Sequence, residues 1–202
     1  MIRLNAKTYF QTLTDLIVNI QVTDRNSVPL ELEEGAEQAI QMILETDAAS
    51  GKVMITGNGG SATIASHVHA DLYKGVGVKS LVFTEQALLT ALANDDGYGS
   101  VYEGPVRQWS QQGDLLITVS SSGGSENILR ATACARELGC RVITLTGFKP
   151  DNPSRKLGDL NFYVKSSEYG FVETAHAALT HFLTDQARVA KHGSDHEHAE
   201  DH

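Results

Sequence analysis

Two kinds of apolar pattern divide the chain. Between residues 5 and 20, Phe10, Leu13, Leu16, Ile17 and Ile20 recur at helical spacing and predict one amphipathic helix. A loop is expected at Asp24-Arg25-Asn26-Ser27. Pro29 is then expected to open a second helix, to about residue 49, with Leu32, Ala36, Ile40, Ile43 and Leu44 on one face and acidic residues in its first turns. From Lys52 onward, short apolar runs alternate with helical stretches. Runs at 53–56, 80–83, 115–119, 142–145 and 160–164 predict strands, and stretches at 62–73, 86–93, 104–111, 126–138 and 171–190 predict helices. Short apolar strands separated by helices indicate a parallel sheet covered on both faces, an α/β fold of αβα layers preceded by two helices. In such sheets a ligand sits beyond the carboxyl ends of the strands.

No repeat or linker interrupts residues 1–190, which are expected to form one domain. Residues 191–202 differ, holding Gly, Ser, acidic residues and four of the eight histidines without aliphatic periodicity. That tail is expected to be disordered, although a His-rich tract can bind divalent metal. A net charge of −9 argues against non-specific binding to nucleic acid or anionic membrane. No apolar run approaches the roughly 20 residues needed to span a bilayer. Cys134 and Cys140 form no C-x-x-C motif, and no signal-like stretch precedes Tyr9, so a reducing cytoplasm is expected.

Candidate chemistry gathers where strands run into helices. Val53-Met54-Ile55-Thr56 leads into Gly57-Asn58-Gly59-Gly60-Ser61, a turn in which backbone N–H groups and the helix dipole can meet an anion. A tight turn with no ligand would look the same. Ser120-Ser121-Ser122-Gly123-Gly124-Ser125 follows the 115–119 strand and can surround a phosphate with hydroxyls and backbone N–H groups. Two such loops suggest a phosphorylated small molecule and not a dinucleotide. His67 and Asp71 are spaced i, i+4 on one helix; Glu173 and His181 lie eight apart on the last, with His176 between them. These groups suit proton transfer, or a four-ligand site for zinc or a similar ion, or a merely polar surface. His69 faces away from His67, and Asn94-Asp95-Asp96-Gly97 reads as a helix-ending turn that can also bond a sugar hydroxyl.

With Gly57 to Ser61, Ala93-Asn94-Asp95, Ser120 to Ser125, Val142 to Gly147 and His176-x4-His181 in place, the chain resembles the sugar isomerase (SIS) domain family, and within it the phosphoheptose isomerases. The likeness runs from the N-terminal helices to about Arg188. It implies a five-stranded flavodoxin-like sandwich, a homotetramer with active sites at subunit interfaces, and conversion of sedoheptulose 7-phosphate to a D-glycero-D-manno-heptose 7-phosphate. Ser120, Ser121, Ser122 and Ser125 fall on the family's phosphate-gripping positions. Asn58, Gly59 and Ser61 fall on its sugar-phosphate turn, and Asp95 on an aspartate near the substrate. The resemblance implies catalysis by Asp71 and His181, and in some members a zinc ion held at the positions of His67, Asp71, Glu173 and His181. Asp71 stands where the family has a glutamate, Glu173 where it has a glutamine, and Gly170 where it has an aspartate. A non-catalytic relative that binds a replication initiator, an isomerase of another sugar phosphate, and a sugar-phosphate-sensing domain are the competing readings; His181 favours the enzyme.

Overall fold

In chain order the strands are β1 (Gln21–Asp24), β2 (Pro29–Leu30), β3 (Val53–Gly57), β4 (Ser80–Val82), β5 (Leu115–Ser120), β6 (Arg141–Thr146) and β7 (Leu160–Tyr163). The α-helices are α1 (Ala6–Val18), α2 (Leu32–Ala48), α3 (Gly60–Ala70), α4 (Gln86–Asp95), α5 (Glu103–Trp109), α6 (Glu126–Glu137) and α7 (Tyr169–His192). The structure, a computed structural model, describes residues 4–193. All strands lie in one sheet of order β2-β1-β7-β6-β5-β3-β4. From β7 to β4 the pairs are parallel and comprise the five expected runs.

The sheet's two faces are built by alternation along each strand. Val53, Ile55, Leu115, Ile117, Ile143 and Leu145 face the layer of α2, α3 and α7, while Met54, Leu116 and Val142 face Val101, Tyr102, Val106 and the buried side of α6. Both faces are therefore apolar, which is why these runs read as continuous rather than alternating.

The N-terminal region departs from expectation. Asp24-Arg25-Asn26-Ser27 is the turn of a hairpin, and Pro29 belongs to the edge strand β2, so α2 starts only at Leu32. Asp24 Oδ1 organises the turn by accepting from Asn26 N at 2.8 Å and Val28 N at 2.7 Å. Proline is tolerated there because an edge strand leaves an N–H unpaired. The hairpin continues the sheet antiparallel to β7, with Val22 buried opposite Phe162. Gly35 of α2 permits this packing, since a Cβ there would lie 2.5 Å from Val22 Cγ1.

Two helix ends matter for the site. α3 passes directly into a π-helical turn, Asp71–Val76, closed by Gly77 at φ +71°. Such bulges re-aim side chains and concentrate at functional positions. α7 extends to His192, so the first residues of the expected tail are helical, and Lys191 bonds Asp47 at 2.8 Å and the Gly77 carbonyl at 2.9 Å. The remainder of that tail lies outside the described residues.

Candidate functional site

β3 and β5 are neighbours in register, with Gly57 opposite Val119, so the glycine turn and the serine loop leave the sheet side by side. Between them and the start of α7 is a cavity of about 270 Å³ lined by Asn58, Gly59, Gly60, Ser61, Val119, Ser120, Ser121, Ser122, Ser125, Tyr169 and Glu173. Its one charged lining side chain is the Glu173 carboxylate. An anion here is met by neutral donors: serine hydroxyls and the N-terminal turns of α3 and α6. Ser121 Oγ is buried and makes no hydrogen bond among the described residues, which leaves it for a ligand.

Backbone geometry explains the glycines. Gly59 caps α3 at φ +55°, and Gly123 sits at φ +61°, both in a range that side chains rarely adopt. A Cβ on Gly123 would collide with the Asn152 side chain. Asn152 and Ser154 are buried and brace the serine loop, with Ser154 Oγ donating to the Gly123 carbonyl at 2.9 Å.

His67, Asp71 and His181 converge on the seam between α3 and α7. Asp71 Oδ1 lies 3.4 Å from His67 Nε2, Asp71 Oδ2 lies 3.3 Å from His181 Nδ1, and the two imidazole rings are 4.6 Å apart. Both histidines are exposed and the carboxylate is part-buried. One ligand atom from each residue lies within 4.8 Å of the others. Zinc bonds to nitrogen and oxygen of about 2.0–2.2 Å need ligand atoms separated by roughly 3.3–3.6 Å in a tetrahedron, so the donor types and the two carboxylate–imidazole distances suit a divalent ion, while the 4.8 Å span of the whole set is wider than a bound ion would hold. Glu173, the fourth ligand expected, is not brought to this group. Its carboxylate lies against Gly60, where a Cβ would come within 2.5 Å of Glu173 Oε2.

A family model for the SIS domain matches residues 9–147. The phosphoheptose isomerase of Helicobacter pylori (strain P12) is 35% identical over 161 residues, 76% of this chain and 83% of that protein. The chain belongs to the SIS domain family, among the phosphoheptose isomerases. That of Syntrophotalea carbinolica is 31% identical over 185 residues, 89% of this chain and 90% of that protein. Among solved structures, the phosphoheptose isomerase from Neisseria gonorrhoeae superposes with a TM-score of 0.78 at 27% identity, covering 90% of this chain and 96% of that one.

Within this phosphoheptose isomerase fold the expected residues separate into two groups. Asn58, Gly59, Ser61, Ser120, Ser121, Ser122, Ser125 and Glu173 line the cavity, and His67, Asp71 and His181 form the cluster. Asp95 joins neither: it is exposed near the end of α4, accepting from Asn94 Nδ2 at 2.7 Å. Several residues of the site carried no sequence signal. Tyr169 walls the cavity, packing edge-on to Phe148 at 4.8 Å. Tyr102 is buried and donates to the Gly57 carbonyl, and burial pushes its hydroxyl up to about 12, so it stays protonated.

Proposed function

We propose that this chain interconverts sedoheptulose 7-phosphate and D-glycero-D-manno-heptose 7-phosphate, an aldose–ketose isomerisation through an enediol. The observation that carries this reading is the spacing of the two groups along the same two helices. Ser61 and His67 are separated by roughly 9 Å along α3, and Glu173 and His181 by roughly 12 Å along α7, at the rise of 1.5 Å per residue. An opened seven-carbon sugar phosphate has its phosphate and its reacting carbonyl at opposite ends. A cradle at one end of the seam and titratable groups at the other suit that shape.

In this reading the serine loop anchors the phosphate with neutral donors, so substrate charge is balanced by helix dipoles and hydroxyls. Glu173, an acceptor when ionised, takes hydroxyl donors of the polyol and disfavours a second phosphate at the glycine turn. The His181–Asp71 pair moves a proton from C1 of the opened ketose to C2, with Asp71 orienting the imidazole. A divalent ion such as zinc, held by His67, Asp71 and His181, would polarise the carbonyl and hydroxyl oxygens of the substrate. Free, buried Cys134 and Cys140 fit a reducing cytoplasm.

The reading includes a homotetramer with sites at subunit interfaces. Supporting it, α1 buries no residue and leaves Phe10 63% and Val18 60% exposed. An apolar groove of about 430 Å³ runs between α1, α2 and α7 and includes Phe182, the neighbour of His181. No helix among the described residues is long and apolar enough to cross a membrane.

The test is conversion of sedoheptulose 7-phosphate, followed by NMR, with native, chelator-treated and zinc-reloaded protein. Turnover by native and reloaded protein with loss on chelation is expected; no turnover by zinc-loaded protein contradicts the assignment. Light scattering should give four chains per particle, and a monomer at assay concentration would contradict the tetramer.

A further inference from the structure

Asn58 is the one amide in the wall of the phosphate cavity, and an amide can present either a donor or an acceptor to a ligand. Which it presents is decided by its neighbours. Asn58 and Asn127 form a reciprocal pair: Asn58 Nδ2 donates to Asn127 Oδ1 at 2.9 Å, and Asn127 Nδ2 donates to Asn58 Oδ1 at 2.9 Å. Asn127 is buried at the start of α6. Its Oδ1 also accepts from the Ile128 backbone N–H at 3.0 Å. That N–H is shared with the Ser125 carbonyl at 3.1 Å, but since a backbone N–H can only donate it favours the Asn127 oxygen over its NH2 on that side, and the reciprocal pair carries the preference to Asn58. The Tyr98 hydroxyl completes the arrangement by donating to Asn58 Oδ1 at 3.0 Å.

The lone-pair count follows directly. Asn58 Oδ1 accepts two hydrogen bonds and is filled, while Asn58 Nδ2 has spent one of its two hydrogens. The chain's remaining capacity at this amide is a single N–H donor in the cavity wall. We propose that Asn127 and Tyr98 are positioning residues that lock the Asn58 amide as a donor to a phosphate or sugar oxygen of the substrate. The pair also ties the glycine turn to the first turn of α6, across 69 residues of sequence, so that the two loops of the cradle keep one spacing.

The inference rests on the isomerase reading for its choice of ligand. Its test is the dissociation constant of sedoheptulose 7-phosphate, by calorimetry, in the catalytically disabled His181→Ala protein. That protein is compared with versions also carrying Tyr98→Phe or Asn127→Ala. Binding is read there without turnover, so failure of this inference is separable from failure of the isomerase reading. Tyr98→Phe removes one hydroxyl from a side chain that is 53% exposed, and is expected to weaken binding about 3-fold with an unchanged melting temperature. Asn127→Ala is expected to weaken it about 10-fold or more. In the otherwise wild-type enzyme both should raise KM by more than they lower kcat. Equal affinity in all three proteins overturns the proposal. So does an Asn127→Ala loss that only tracks its melting temperature while Tyr98→Phe binds normally.

Discussion

The glycine turn and the serine loop are the same device used for two purposes. Each follows a buried parallel strand, each turns on a glycine at positive φ, and each opens a helix whose N-terminus faces the same cavity. In the glycine turn the interior is already taken, by Glu173 against Gly60 from the front and by Tyr102 and Asn127 from behind. Its work is to aim Asn58 and to start the helix that carries His67 and Asp71. The serine loop is braced from beneath, by Asn152, Ser154 and the Gly147 N–H that donates to the Ser121 carbonyl at 3.0 Å, and leaves the Ser121 hydroxyl for the ligand. A strand–glycine–helix pattern thus predicts an anion-compatible corner, while the side chains packed against it decide whether an anion goes there.

The largest expected effect lies beyond both loops. His181→Ala should lower kcat by about 10²- to 10⁴-fold, the usual worth of a positioned acid–base group, with steady-state kinetics as the measurement. Next comes Ser121→Ala, which removes a buried hydroxyl that has no partner among the described residues. A hydrogen bond to a charged oxygen is worth about 1.5–3 kcal/mol, so KM should rise roughly 10- to 100-fold while the melting temperature holds.

The third test sets the loops against each other. Gly123→Ala combines a left-handed backbone with a collision into buried Asn152, and should cost roughly 2–4 kcal/mol in denaturant unfolding. Gly60→Ala meets only the movable end of Glu173, and should cost less. Gly124→Ala, whose Cβ would have nothing nearer than Ser122 O at 3.9 Å, should be close to neutral. Equal losses at Gly123 and Gly60 would erase the distinction drawn here.

The smallest effect concerns pH. Two buried titratable groups hold strand-end carbonyls: Tyr102 that of Gly57 at the end of β3, and His176 that of Thr146 at the end of β6 through Nε2 at 3.1 Å. Burial pushes His176 down from 6.5 to about 4. Its neutral form is the folded one, so the stability it supports is complete above pH 6.5 and is lost as pH falls towards 4. By pH 5 the loss is about 2 kcal/mol, and it should vanish in His176→Asn when unfolding is measured at pH 7 and pH 5.

The parallel core was legible because its strands are apolar on both faces and its helices carry a clear period. The β1–β2 hairpin was not, because strands of four and two residues around a proline give too short an alternation to distinguish from a helix start. His67, Asp71 and His181 were legible from spacing and resemblance together. Glu173 lies apart from that group in this structure, against Gly60, since its eight-residue separation from His181 is roughly two turns of α7, which shares a face but not a point. Asn127 and Tyr98 were silent, since their partners lie far away in sequence and no local pattern marks them; Asn152 bonds locally as the cap of a short turn, and only its distant contact with Gly123 was hidden.

The most direct measurement of the central claim is isomerisation of sedoheptulose 7-phosphate in deuterium oxide, with the product examined by NMR. An enediol path places the C1 proton on His181 or Asp71, whose side chains are 51% and 28% exposed, and exchange of that carried proton with solvent before C2 is protonated predicts deuterium at C2 of the aldose. A product formed at full rate and fully protonated at C2 would contradict it.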